Sequence, residues 1–282
     1  MGPRRVMGNE QAHLRIRIQV QFVDGIGENR ELRAWAKDKA RGVALDVRTA
    51  RGPVAASHRS LKDALSHEGS LAVIAEPARR SPEEGLLRAD LNLGEFACAS
   101  VRAGVAALAF PADPRFGVQA SEWAWLVQDE LPVPVLLHDL VLEPDQVERA
   151  RRLGADAVWL HAGVLDAELL RACIDEAKTL GMDTLVEGRS PEELARAIDA
   201  GASLVCVSAF DEMGALNEDA PLELLRDVPR DVRRVVRGPV SGEFGLRPLR
   251  GEVQAMWICG PACMPRDTFG YLEPLVAELR RD

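Results

Sequence analysis

From Leu71 to the C-terminus, short apolar runs alternate with segments whose hydrophobic residues recur every three or four positions. The runs Leu71–Ala75, Val105–Phe110, Val133–Leu137, Asp156–Leu160, Met182–Val186, Ser203–Val207, Arg233–Val236 and Gln254–Cys259 predict strands buried on both faces, as strands of a parallel sheet are. Between them, Pro144–Leu153, Asp166–Leu180 and Pro191–Ala200 read as helices. Ser190 stands as N-cap before Pro191, Glu193 follows three residues after the cap, and Gly201 ends the segment. Asp166 caps a helix that stops at Gly181.

Eight strands with interleaved helices are the number that closes a (β/α)8 TIM barrel, an α/β fold. An open doubly wound sheet would be announced by a GxGxxG turn after its first strand, and none occurs. Ser241–Gly251 carries three glycines and a proline, so the helix before the last strand is short or missing. Upstream, Leu14, Ile16, Ile18, Val20 and Phe22 alternate with Arg15, Arg17, Gln19 and Gln21, the pattern of a half-buried strand. A lone strand is unstable, so this one needs a partner in its own chain or in a second copy, which makes it a candidate homodimer contact. Glu28–Thr49 reads as a helix with Trp35 on its apolar face. The expected organisation is an extension over residues 1–27 and a single barrel domain over 28–282, including its N-terminal helices.

Composition narrows the function classes. The 282 residues are 47% hydrophobic, enough for one large core. A net charge of -9 without any Lys/Arg block argues against a nucleic-acid partner. No apolar stretch is long enough for a membrane span, and Arg4–Arg5 are not followed by the apolar core of a signal peptide. The five cysteines lack CxxC or zinc spacing, so no metal is expected and buried free thiols fit a reducing cytoplasm.

The candidate chemistry sits where apolar runs end. Leu71–Pro82 (LAVIAEPARRSP) closes its run on Glu76 and then breaks into a turn, and the fifth run closes on Glu187. In parallel α/β folds the carboxyl ends of strands are where ligands bind. Each carboxylate could equally be a salt-bridged rim residue.

The first stretch resembles the opening strand of the indole-3-glycerol phosphate synthase family, VIAEIKRASPSKG, with Glu76, Arg79, Ser81, Pro82 and Gly85 in register. Residues 132–139 (PVPVLLHD) are similar to the family's LPVLRKDF, and Glu143–Ala150 to its DPYQIYEA. Residues 151–158, 185–187 and 201–204 continue the likeness, which extends from about Leu32 to Gly260. The resemblance implies a phosphorylated, anthranilate-derived substrate, ring closure with loss of carbon dioxide and water, no cofactor, and a place in tryptophan synthesis. It implies Glu187 as general base and Glu76 as its companion in the pocket. Both family lysines are absent: one position holds Ala78, and the other, the general acid, holds His138. His138 could donate a proton near neutral pH or merely be hydrogen-bonded at a strand end. Ser208 and Phe210 replace an asparagine and an arginine, and no lysine falls at any barrel-strand end.

The resemblance places phosphate near Ser81 and Gly260, although Pro261 removes an N–H donor there and a lone glycine can simply mark a tight turn. The seventh strand aligns in two ways, one losing the family glutamate at Gly238 and one keeping it as Glu243. Three functions follow: a divergent enzyme of the family, a catalytically impaired binding or assembly barrel, or an enzyme for a different, less charged substrate.

Overall fold

The computed structural model describes residues 35–36, 53–66, 70–81, 85–118, 122, 131–210, 216–217, 219–238, 249, 251–260 and 263–280. The strand expected over 13–22, most of the helix over Glu28–Thr49, and Glu243 lie outside them.

Eight parallel strands close into a barrel: β1 (Ala72–Ala75), β2 (Ala107–Pro111), β3 (Val135–His138), β4 (Ala157–His161), β5 (Asp183–Glu187), β6 (Leu204–Ser208), β7 (Arg233–Gly238) and β8 (Ala255–Ile258), with β8 beside β1. Helices α1 (Leu61–Ala64), α2 (Leu93–Ala103), α3 (Pro144–Arg152), α4 (Ala167–Thr179), α5 (Pro191–Asp199), α6 (Ala220–Leu225) and α7 (Thr268–Leu279) accompany them. The caps read from sequence are present: Asp166 Oδ1 accepts from the Leu169 N–H at 2.8 Å, and Ser190 Oγ from the Glu193 N–H at 3.2 Å. None of the described helices is long and apolar enough to cross a membrane.

Strand ends matter more than strand middles here. β3, β4, β5 and β6 each run one residue past the apolar runs, taking in His138, His161, Glu187 and Ser208. β7 runs two residues past Val236 and so carries Arg237. The backbone ladder continues because neighbouring strands supply partners, which an apolar-run criterion does not register.

Register then decides which side chains meet. Side chains alternate across a strand, and Cα partners on parallel neighbours share a face. Ile74 pairs with both Trp257 and Ala107, Pro111 with His138, His161 with Glu187, Glu187 with Cys206, Ser208 with Arg237, and Arg237 with Trp257. Stepping two residues from Ile74 adds Glu76. One face of the wall, the barrel interior, thus carries Glu76, His138, His161, Glu187, Ser208 and Arg237 at its carboxyl end, with Trp159 and Trp257 a step below. All are buried.

The opposite end is closed by residues 53–66. Asp156, fully buried at the start of β4, accepts from Ser57 Oγ at 2.7 Å, Arg59 Nε at 2.8 Å and the Val135 N–H at 2.9 Å. Asp183 accepts from Ser60 Oγ and the Lys62 N–H at the start of α1, whose Leu61 and neighbouring Leu65 are buried. Asp156→Ala takes away the carboxylate that meets the Arg59 and Arg151 charges and two further donors. It is expected to cost about 3–5 kcal/mol, read as a lowered urea midpoint at unchanged slope.

Candidate active site

The carboxyl end of the barrel gathers three residues singled out from sequence. Glu76 (1% exposed), His138 (2%) and Glu187 (0%) all face its interior. His138 Nδ1 lies 3.2 Å from Glu76 Oε1. Burial pushes the Glu76 carboxyl up, but the charge and hydrogen bond of His138, with Arg237, hold it below its ordinary value. The Trp257 indole also draws it down without meeting hydrogen-bond geometry. Glu76 Oε2 and Trp257 Nε1 are both buried with no hydrogen-bond partner among the described residues.

Glu187 is held more firmly. Trp159 Nε1 donates to its Oε2 at 3.1 Å, Arg189 Nε approaches Oε1 at 3.4 Å, and His161 Nε2 stands 4.0 Å from Oε1. Burial opposes ionisation, yet Arg189, Arg237, His161 and His138 together bring the carboxyl down to about 2. His161 is lowered too, with the opposite effect on charge: burial brings it to about 4, against the pull of Glu187. It is therefore neutral at pH 7, while Glu187 is an anion.

Aromatic rings enclose His138. Its ring centroid lies 4.8 Å from Trp257, 5.0 Å from Trp159, 5.1 Å from Phe116 and 6.0 Å from Trp35. Trp35 stacks on Trp159 at 5.8 Å and is pinned by Nε1 donating to Asp113 Oδ2 at 2.8 Å. Arg115 lies over the Trp35 ring at 4.1 Å and bonds the same aspartate.

The other sequence candidates divide. Ser208 is at the mouth, but its Oγ accepts from the Phe210 N–H at 3.1 Å. Phe210 is half-buried and bridges to Leu216. Ser81 lies outside the barrel wall, on a two-residue strand (Arg80–Ser81) paired with Gly85–Leu86. Gly260 is buried with φ +65°, a left-handed conformation that suits glycine. Arg79 forks onto Glu122 at 2.8 and 3.0 Å, tying the loop after β1 to the segment after β2. Ala78, where the resemblance led to the expectation of a lysine, is sealed against Cys263: its N–H donates to Sγ at 3.1 Å, while Sγ donates to the Glu76 carbonyl at 3.1 Å. All five cysteines are free.

Sequence reasoning missed Arg237, His161 and the tryptophans. Arg237 is a cation that the search for strand-end lysines did not reach: it is buried at the end of β7 beside Trp257, 5.2 Å from ring centroid to guanidinium carbon. The signal was available: Arg237 stands two residues past Val235 and His161 two past Trp159, each stepping along the inward face of its strand.

Comparison with known proteins accords with this arrangement. The family model for indole-3-glycerol phosphate synthase matches residues 26–265. The chain belongs to the indole-3-glycerol phosphate synthase family. It is 36% identical over 175 residues to an indole-3-glycerol phosphate synthase of Carboxydothermus hydrogenoformans, covering 60% of this chain and 66% of that protein. Against the Mycobacteroides abscessus enzyme of that name it is 31% identical over 214 residues, 75% of this chain and 79% of the relative. Among solved structures, 3-hexulose-6-phosphate synthase from Salmonella typhimurium superposes with a TM-score of 0.60 over 74% of this chain and 98% of its own; at 18% identity it shares the barrel alone.

Both titrations give the same sign. Between pH 6.5 and about 4 the unfolded chain binds a proton at His161 that the folded state refuses, so stability falls on acidification. Below pH 4.5 Glu187 extends the fall, its contribution being lost as pH drops towards 2. His161→Phe is expected to flatten the pH 6.5-to-4 part of the stability curve by at most about 3 kcal/mol, measured by urea unfolding at successive pH values.

Proposed function

We propose that the protein is a divergent carboxy-lyase of the indole-3-glycerol phosphate synthase type, working with a rebuilt set of charges. Its substrate would be a carboxyphenylamino-deoxyribulose phosphate, closed to an indole with loss of carbon dioxide and water. The observation that carries this reading is Arg237, a buried cation acting on both Glu76 and Glu187. Ring closure needs positive charge or an acid near the attacked carbonyl and a carboxylate for deprotonation. Arg237 and His138 would provide the first, with Glu76 orienting His138, and Glu187 the second. Ser208 and Phe210 would form the wall, and the phosphate would lie towards Ser81 and Gly260. No cofactor enters this scheme, and free thiols fit work in the cytoplasm.

A second reading rests on a different observation. A carboxyl held at about 2 is a weak base at neutral pH, and Trp35, Trp159 and Trp257 pack closely round His138. That favours a catalytically impaired paralogue that binds phosphorylated ligands or acts on another substrate.

Turnover of the carboxyphenylamino-deoxyribulose phosphate separates the two. Under the first reading, the purified protein forms indole-3-glycerol phosphate, and Arg237→Met and His138→Ala each lower kcat by about 10²–10³-fold while circular dichroism confirms folding. Full turnover in both variants sinks the assigned roles. No turnover by the wild type, with calorimetric binding of the product retained, selects the second reading.

A further inference from the structure

The mouth contains one gap that the roles above leave unfilled. His161 Nδ1 accepts the Gly163 backbone N–H at 3.0 Å, so the neutral ring carries its proton on Nε2. This contact is built in: a Cβ on Gly163 would stand 2.5 Å from Glu193 Oε1 and 3.0 Å from His161 Cε1. The Nε2–H is buried and has no hydrogen-bond partner among the described residues. Facing it 4.0 Å away, beyond hydrogen-bond reach, is Glu187 Oε1, which Arg189 Nε approaches at 3.4 Å from another side, while Oε2 is engaged by Trp159.

We propose that His161 and Glu187 form a clamp for a hydroxyl group on the phosphorylated chain of the ligand, a specificity determinant of the pocket that rests on the family-type reading above. The His161 Nε2–H can only donate and the Glu187 carboxylate can only accept. A carbonyl or phosphate oxygen would meet repulsion from Glu187, and an ammonium or amide N–H would confront the imidazole N–H. A hydroxyl answers both, accepting from His161 while donating to Glu187. Two hydrogen bonds of about 2.8–2.9 Å from atoms 4.0 Å apart meet on one oxygen at roughly 90°, near the angle a hydroxyl allows. Glu187 is thereby held against the hydroxyl-bearing carbon, and the imidazole needs no change of protonation.

The test compares two ligands by calorimetry: indole-3-glycerol phosphate, and indole-3-propanol phosphate, which lacks the chain hydroxyls. The wild type is expected to prefer the first. His161→Phe should weaken the first about tenfold and leave the second within about twofold, and His161→Gln, which restores an N–H, should recover part of the loss. In ¹⁵N spectra of the wild type, the Nε2–H resonance of His161 should shift with the first ligand and not with the second. Parallel loss of both ligands in His161→Phe, or no loss of either, overturns the clamp. So does a wild type that binds both equally, since only water would then meet His161. Failure of both to bind overturns the clamp and the family-ligand reading together. Binding is read whether or not the wild type turns substrate over, so a failed catalytic reading does not decide this outcome.

Discussion

Two carboxylates buried in one barrel mouth must be matched by positive charge or they will not stay ionised. Glu76 and Glu187 are both out of water, and desolvation works against each. Arg237 acts on both, Arg189 stands beside the second, and the His138 ring meets the first at hydrogen-bond distance. The remaining features of the mouth can be understood from this balance. The compensation comes from Arg237 on β7 and from Arg189, two residues beyond Glu187.

The scaffold holds that balance rigidly. Cys263 links the loop after β8 to both sides of Glu76 through one sulfur, so the glutamate and Ala78 cannot move separately. Trp35 closes the mouth from above by stacking on Trp159, whose own indole N–H fixes Glu187. At the other end, Asp156 and Asp183 bind residues 53–66 across the strand starts. A barrel whose floor bears on stability and whose mouth bears on chemistry is the usual division of labour in this fold. Here the two ends share one device, a buried carboxylate surrounded by donors.

Neutral His161 gives the mouth a different character from its charged neighbours. Its proton position is set by a backbone N–H from a glycine, and the ring offers a hydrogen bond without adding charge beside Glu187. An imidazole kept neutral by burial down to about pH 4 can orient a polar ligand without a charge of its own. Lysine, the cation of the family, brings a mobile point charge instead.

The apolar runs, helix caps and LAVIAEPARRSP stretch were sufficient to determine the barrel, its strand order in sequence and the identity of the family. These are local signals, because burial on both faces and N-cap chemistry are properties of a few adjacent residues. Glu76 and Glu187 stood out for the same reason, each at the end of an apolar run, and His138 stood out through the family resemblance. The pairing of Glu76 with His138, the cation at Arg237 and the aromatic enclosure by Trp35, Trp159 and Trp257 were decided only by the tertiary structure. They depend on register between strands far apart in the chain, and on the backbone ladder carrying β7 two residues past its hydrophobic run. Local pattern tells where a strand lies. Closure of the barrel decides which charges it must share.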